Sequence, residues 1–194
     1  MAKRVFFSFH YQDVIDFRAN VVRNHWMTKP DRTSAGFFDA SIWETAKKAG
    51  SIAVKRLINS GLEGTTVTCV LIGSQTYLRP WVRYEILKSF RKGNSIVAVH
   101  INSIRGKDQM TKATGQNPLS FLGVTYSEAG LTATLWQKVN EKWEEYSEID
   151  GSASYQTGGV DTQYRNKGFN LAQWYPEYDW VRDDGFNNFA DWVG

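Results

Sequence analysis

Three short apolar runs constrain this chain more than any other feature: VFFSF at residues 5–9, TVTCVLIG at 66–73 and SIVAVHI at 95–101. Each is shorter than an ordinary buried helix, is built largely of Val, Ile, Thr and Phe, and is bounded by polar or glycine-containing segments. A strand that is apolar on both faces must be covered on both faces, which is the habit of parallel sheets. The segments between the runs fit crossover helices. Residues 14–27 place Val14, Phe17, Val21 and Val22 on one side, with Asp13 as the N-cap. Residues 42–59 form a second helix that Gly61 and Gly64 end. Pro80 stands where a first helical turn tolerates proline, and that helix runs to about Lys92, before Gly93. With a short strand at 36–39 (GFFD), the order predicts a central parallel sheet with helices on both faces, 5–9, 67–72 and 96–101 being inner strands.

Beyond Asn102 the pattern changes. Residues 106–118 are polar and loop-like. Residues 132–146 fit two short strands around an Asn140–Glu141 turn, although their Glu and Lys content also permits a helix. Residues 151–168 are poor in apolar side chains and read as a surface loop. The tail, 178–193, carries Trp180, Val181, Phe186, Phe189, Trp192 and Val193, which must pack on something, most simply the domain itself. The expected organisation is one domain over 1–194, with a core to about 125 and an extension from about 126.

Bulk properties exclude several classes. The 23 basic and 20 acidic residues leave a net charge of +3, and no segment concentrates cations enough to track a phosphate backbone, so no nucleic-acid partner is expected. No stretch reaches the length of a membrane span, the first apolar run is too short for a signal peptide, and Cys69 is the one cysteine. A soluble, cytoplasmic protein without disulfides or a membrane contact is expected. His25 and His100 lack Cys or His partners at metal-ligand spacing, so no metal site and no resident cofactor are expected. The aromatic share, 14%, points to a thick core or to surfaces that stack on rings.

Three places carry candidate chemistry. Trp81 and Glu85 lie four apart on the third helix, beside a stripe of Val82, Ile86 and Phe90 that must face the sheet. An aromatic plane next to a carboxylate suits a cationic ring attached to a sugar, and an anion helps most where an N-glycosidic bond breaks through an oxocarbenium-like state. The pattern alone better fits Trp81 packed on the domain and Glu85 paired with Arg83, Lys88 or solvent, the commoner fate of a helix carboxylate. The end of the first strand, Ser8-Phe9-His10-Tyr11, falls where open parallel sheets bind ligands, though His10 serves a loop hydrogen bond as well as a pocket. Ser74, in Gly73-Ser74-Gln75-Thr76-Tyr77, has hydroxyl and glycine neighbours but neither the Lys nor the spacing of a phosphate loop.

The opening strand RVFFSFHY and the segment GSQTY followed by WVRYEI resemble TIR domains, and more closely the TIR-like proteins of the bacterial Thoeris antiphage system. Residues 3–16, 69–88, 99–102, 142–146 and 178–184 carry the resemblance, which thus spans nearly the whole chain. It implies a flavodoxin-like or TIR-like sheet with a C-terminal hairpin and helix. It also implies an enzyme that, on infection, converts NAD to nicotinamide and a cyclic ADP-ribose isomer. That isomer is the diffusible second messenger for a partner effector that depletes NAD, and NAD is a substrate here rather than a cofactor. Carried over, Glu85 is the catalytic glutamate, Trp81 shapes the pocket and guides ring closure, and Ser8, Phe9, His10, Tyr11, Asp39 and Ser74 contact substrate. The segment 34–44 departs from the usual loop after the second strand, which leaves Asp39, Trp43 and Glu44 the least anchored of these. A homo-oligomer and a phage-derived trigger are expected. The other class that fits is a non-catalytic TIR-type interaction module, which has no need of the Trp81/Glu85 pairing; a receiver-like or flavodoxin-like regulator fits less well, because the first strand here lacks the acidic pair expected just beyond it.

Overall fold

The computed structural model describes residues 3–38 and 40–194. The three apolar runs become adjacent parallel strands: β1 (Lys3–Phe9), β3 (Val67–Ile72) and β4 (Ser95–His100), with β2 (Arg32–Ala35) beside β1 and β10 (Glu177–Asp179) beside β4. The spatial order is β10-β4-β3-β1-β2, every pair parallel. All six residues of β3 are buried, as a strand covered on both faces requires. One face carries α4 (Ser51–Leu62) and α5 (Pro80–Lys92), packed on Phe6, Val70, Ile72 and Ala98. The other carries α2 (Arg18–Met27) and α6 (Gly185–Trp192), packed on Val5, Phe7, Leu71 and Val99. The chain is therefore a doubly wound α/β protein.

Between β4 and β10 the chain builds a second, antiparallel sheet: β5 (Leu122–Tyr126), β6 (Thr132–Val139), β7 (Lys142–Glu145) and β9 (Gly168–Asn170), ordered β7-β6-β5-β9, with β8 (Ser154–Gln156) on β6. Leu122, Val124, Ala133 and Leu135 join the core on the α5 side. The hairpin expected at 132–146 is present. Asn140 and Glu141 both take positive φ, 46° and 64°, the backbone of a tight two-residue turn whose twist matches the strands.

Several elements differ from the sequence reading, each for a local reason. The helix expected at 14–27 is broken into α1 (Tyr11–Ile15) and α2, because Phe17 turns left-handed at φ 67°. The buried face is then Ala19, Val22 and Trp26, while Phe17 and Val21 are exposed. Asp13 is not the cap: it lies inside α1 with its side chain buried. The second strand sits at 32–35 rather than 36–39. Gly36 ends it at φ 88°, so close to β1 that a Cβ there would lie 2.1 Å from the Phe7 carbonyl oxygen. The helix expected at 42–59 is two, α3 (Ala40–Ala49) and α4, parted by Gly50 at φ 99°. Gly61 stays inside α4, where the Phe6 and Phe38 rings rest on it. The loop at 151–168 contains β8 and a 3-10 turn at Thr162–Tyr164. In the tail Trp180, Phe189 and Val193 are buried, whereas Val181 and Phe186 are exposed, Phe186 lying over the His25 ring. The parallel sheet runs across the division expected near residue 125, because its fifth strand, β10, lies at 177–179.

Candidate active site

The strand order reverses between β1 and β3, so the carboxyl ends of these strands are where a doubly wound sheet opens a crevice. Here that crevice is roofed by residues 103–117. Arg18, almost wholly buried, donates from Nε to the Ile104 carbonyl at 2.9 Å and from Nη2 to the Met110 carbonyl at 2.5 Å. Lys112 pairs with Asp16, and Gly115 lies so close to Gly73 that a Cβ would come within 2.0 Å of its carbonyl oxygen. Beneath this strap the buried Asp13 keeps one carboxyl oxygen without a partner among the described residues, and burial pushes its pKa up to about 6. Ser74 lies on this closed side.

The open cavity is one strand over, where the ends of β1 and β2 meet the start of α5. Its volume is about 280 Å³. Phe9, His10 and Tyr11 line it from β1 onward, Phe38 and Trp43 from the segment after β2, and Arg79, Trp81 and Glu85 from α5 and its entry. Aromatic rings make the walls: Phe38 stacks on Trp43 at 6.1 Å with planes 7° apart, and Trp81 meets Tyr84 edge-on at 6.1 Å. Four-residue spacing on α5 does bring Trp81 and Glu85 to one cavity.

Glu85 is buried, with 6% of its surface exposed, and its one side-chain partner among the described residues is Ser8, whose hydroxyl donates to Oε2 at 2.5 Å. Ser8 can reach it because side chains alternate along β1: Phe7 and Phe9 point to the α2 face, Phe6 and Ser8 to the α5 face. Loss of hydration raises the Glu85 pKa to about 8, and the Ser8 hydrogen bond only partly opposes it. The solvated helix carboxylate that the pattern alone allowed is absent; neither Arg83 nor Lys88 pairs with Glu85. The pKa of His10 is lowered, first by burial and then by the charges of Arg79 and Lys112.

Of the residues the sequence singled out, the structure brings together Phe9, His10, Tyr11, Trp81 and Glu85 around the cavity, with Ser8 behind Glu85. Ser74 is not among the lining residues, and Asp39 lies outside the described residues. The sequence reading missed Phe38, Lys47 and Arg79 as lining residues and held Trp43 only loosely. The one available signal for Arg79 was its place directly before the proline that opens α5.

Comparison with known proteins places the chain in a family. The family described as "Thoeris protein ThsB, TIR-like domain" matches residues 6–105, which include β1 from Phe6 onward, the cavity walls and α5. A protein of Bacillus cereus (strain MSX-D12) named "Putative cyclic ADP-D-ribose synthase ThsB1" is 55% identical over 194 residues, the full length of both chains. On the family match and on 55% identity over the full length of both chains, this chain belongs to the Thoeris ThsB family of TIR-like proteins.

Proposed function

We propose that this protein cleaves NAD, releases nicotinamide and closes the ADP-ribose remainder into a cyclic isomer that acts as a second messenger in antiviral defence. The observation that carries this reading is Glu85: a carboxyl group buried at the base of an aromatic-walled cavity, with Ser8 as its side-chain partner among the described residues. The name of the Bacillus cereus relative, a cyclic ADP-ribose synthase, supports the same chemistry.

The nicotinamide ring of NAD is cationic, and Trp81 offers it a face on which to stack. Its positive charge beside Glu85 favours the ionised carboxylate, which then stabilises the charge that grows at the anomeric carbon as the C–N bond breaks. The bonding electron pair leaves with nicotinamide, which becomes neutral. A nucleophile of the ADP-ribose itself then closes the ring at the anomeric carbon; water in its place gives linear ADP-ribose. Where the nucleophile is a hydroxyl, Glu85 stands as acceptor for its proton.

At rest the carboxyl of Glu85 holds its proton through neutral pH, which suits an enzyme that must idle until infection. In this reading a phage-derived trigger, with assembly into a homo-oligomer, raises turnover, and the diffusible product reaches a partner effector that depletes NAD. The test is incubation with NAD, with and without phage-infected lysate, and identification of products by mass spectrometry. Nicotinamide together with an ion isomeric with cyclic ADP-ribose, formed on triggering, is expected. Intact NAD after triggering would overturn the reading, and fast NAD loss with dilute untriggered protein would overturn the idling part of it.

A further inference from the structure

The cavity holds about 280 Å³, room for a nicotinamide ring and its ribose but not for a whole dinucleotide. If NAD is the substrate, as proposed above, its diphosphate must lie at the cavity rim and its adenosine beyond. Two long cations line the cavity, Lys47 and Arg79. Lys47 is exposed and already neutralised by Glu44 at 2.9 Å. Arg79 is half-buried and, among the described residues, pairs with no carboxylate. Neutral groups orient it instead: its Nη2 donates to the Gln75 side-chain oxygen at 2.7 Å and its Nε to the Gln75 carbonyl at 3.3 Å. The remaining guanidinium nitrogen has no side-chain or backbone partner among the described residues, and the neighbouring His10 has its pKa lowered by burial and then by the Arg79 charge. A guanidinium fixed in direction but not in charge is suited to a phosphate, which takes the planar fork in two parallel hydrogen bonds.

We propose that Arg79 is the diphosphate-binding residue of this site and that Gln75 is its positioning residue. The inference rests on the NAD reading for its substrate but concerns a different part of it. Arg79 divides the dinucleotide at the rim: the nicotinamide riboside half goes down to Glu85, and the adenosine half stays outside, free to fold back toward the anomeric carbon. Hydrogen bonds to a charged group weigh enough that losing them costs about tenfold or more in affinity.

The test separates binding from cleavage. Binding of ADP-ribose, which keeps the diphosphate and lacks nicotinamide, is measured by calorimetry for the wild type, Arg79→Gln, Arg79→Lys, Gln75→Ala and Glu85→Gln, with thermal melts to verify folding. Arg79→Gln should weaken ADP-ribose about tenfold, Arg79→Lys and Gln75→Ala less, and Glu85→Gln hardly at all. In triggered turnover Arg79→Gln should raise KM for NAD while leaving cleavage of nicotinamide riboside, which has no phosphate, within about twofold of wild type. Equal ADP-ribose affinity in wild type and Arg79→Gln, or no measurable binding by the wild type at millimolar concentration, overturns the Arg79 assignment. So does an equal loss on NAD and on the riboside. Arg79-dependent ADP-ribose binding by a protein that cleaves none of these nucleotides supports the anion site and sinks the NAD reading instead.

Discussion

Glu85 is held where its charge is unwelcome until a cation arrives, and both its chemistry and its cost to the fold follow from that. If its carboxylate acts on charge that exists only in the transition state, Glu85→Gln keeps shape and packing but should lower triggered turnover about a hundredfold or more. NAD affinity, measured by calorimetry, should stay close to wild type. The same burial links stability to pH. The folded pKa, about 8, exceeds the ordinary value of 4.5, so between the two the folded protein keeps a proton that the unfolded chain releases. That contribution is fully present below the ordinary value and is lost as pH rises through the folded one. Wild-type unfolding midpoints should therefore fall over this window, by the equivalent of a few kcal/mol at the order-of-magnitude level, and Glu85→Gln should flatten the fall. Asp13, raised to about 6, adds a slope of the same sign at lower pH, which Asp13→Asn isolates. Denaturant titrations across the range check both.

At the scale of elements, α5 is the part that the sequence displayed most openly. Pro80 opens it, Gly93 ends it in a left-handed turn at φ 86°, and Val82 and Ile86 are buried as their spacing required. Trp81 on its cavity side should hold the reacting ends of the substrate together and keep water out. Trp81→Ala should then shift products from cyclic toward linear ADP-ribose, read by mass spectrometry. The β6–β7 hairpin gives a test of backbone chemistry alone. Glu141 occupies a left-handed position that glycine takes without strain, and its exposed pairing with Lys138 contributes little. Glu141→Gly should raise stability by about 0.5–1 kcal/mol in urea unfolding. Elements whose identity depends on distant contacts were not legible. Gly36 and Gly61 read as strand and terminator residues until the Phe7 backbone and the Phe38 ring stood beside them. The three-residue β10 carries no apolar run, being a strand only because β4 offers it an edge. The cavity followed the same rule: Trp81, Glu85 and the end of β1 were visible as local motifs, whereas Phe38 and Arg79 join them only because β2 lies beside β1 in the sheet and α5 packs on its face.

For the molecule as a whole, the tail is structural rather than appended. Tyr178 stacks on Trp192 at 4.2 Å, and Phe189 packs against both Phe7 and Trp26, so α6 covers the face of β1 opposite the Glu85 side. Deleting residues 177–194 removes three buried side chains, Trp180, Phe189 and Val193, and should cost about 5 kcal/mol or more, a large part of what a domain this size has to lose. The shortened chain should be insoluble or lack a cooperative melt in calorimetry. Intervening sequence also sets a schedule. His100 at the end of β4 meets Glu177 of β10 only after 77 further residues have been made. At ordinary synthesis rates of about 5–20 residues per second, the open edge of β4 waits roughly 4–15 seconds for its neighbour. An unpaired apolar strand on a ribosome for that long is a template for any other chain nearby, most of all for its own siblings on the same message. Yield of folded protein should thus depend on translation speed and on chaperones that shield strand edges, even though in the finished sheet β10 covers β4 from Ala98 to His100.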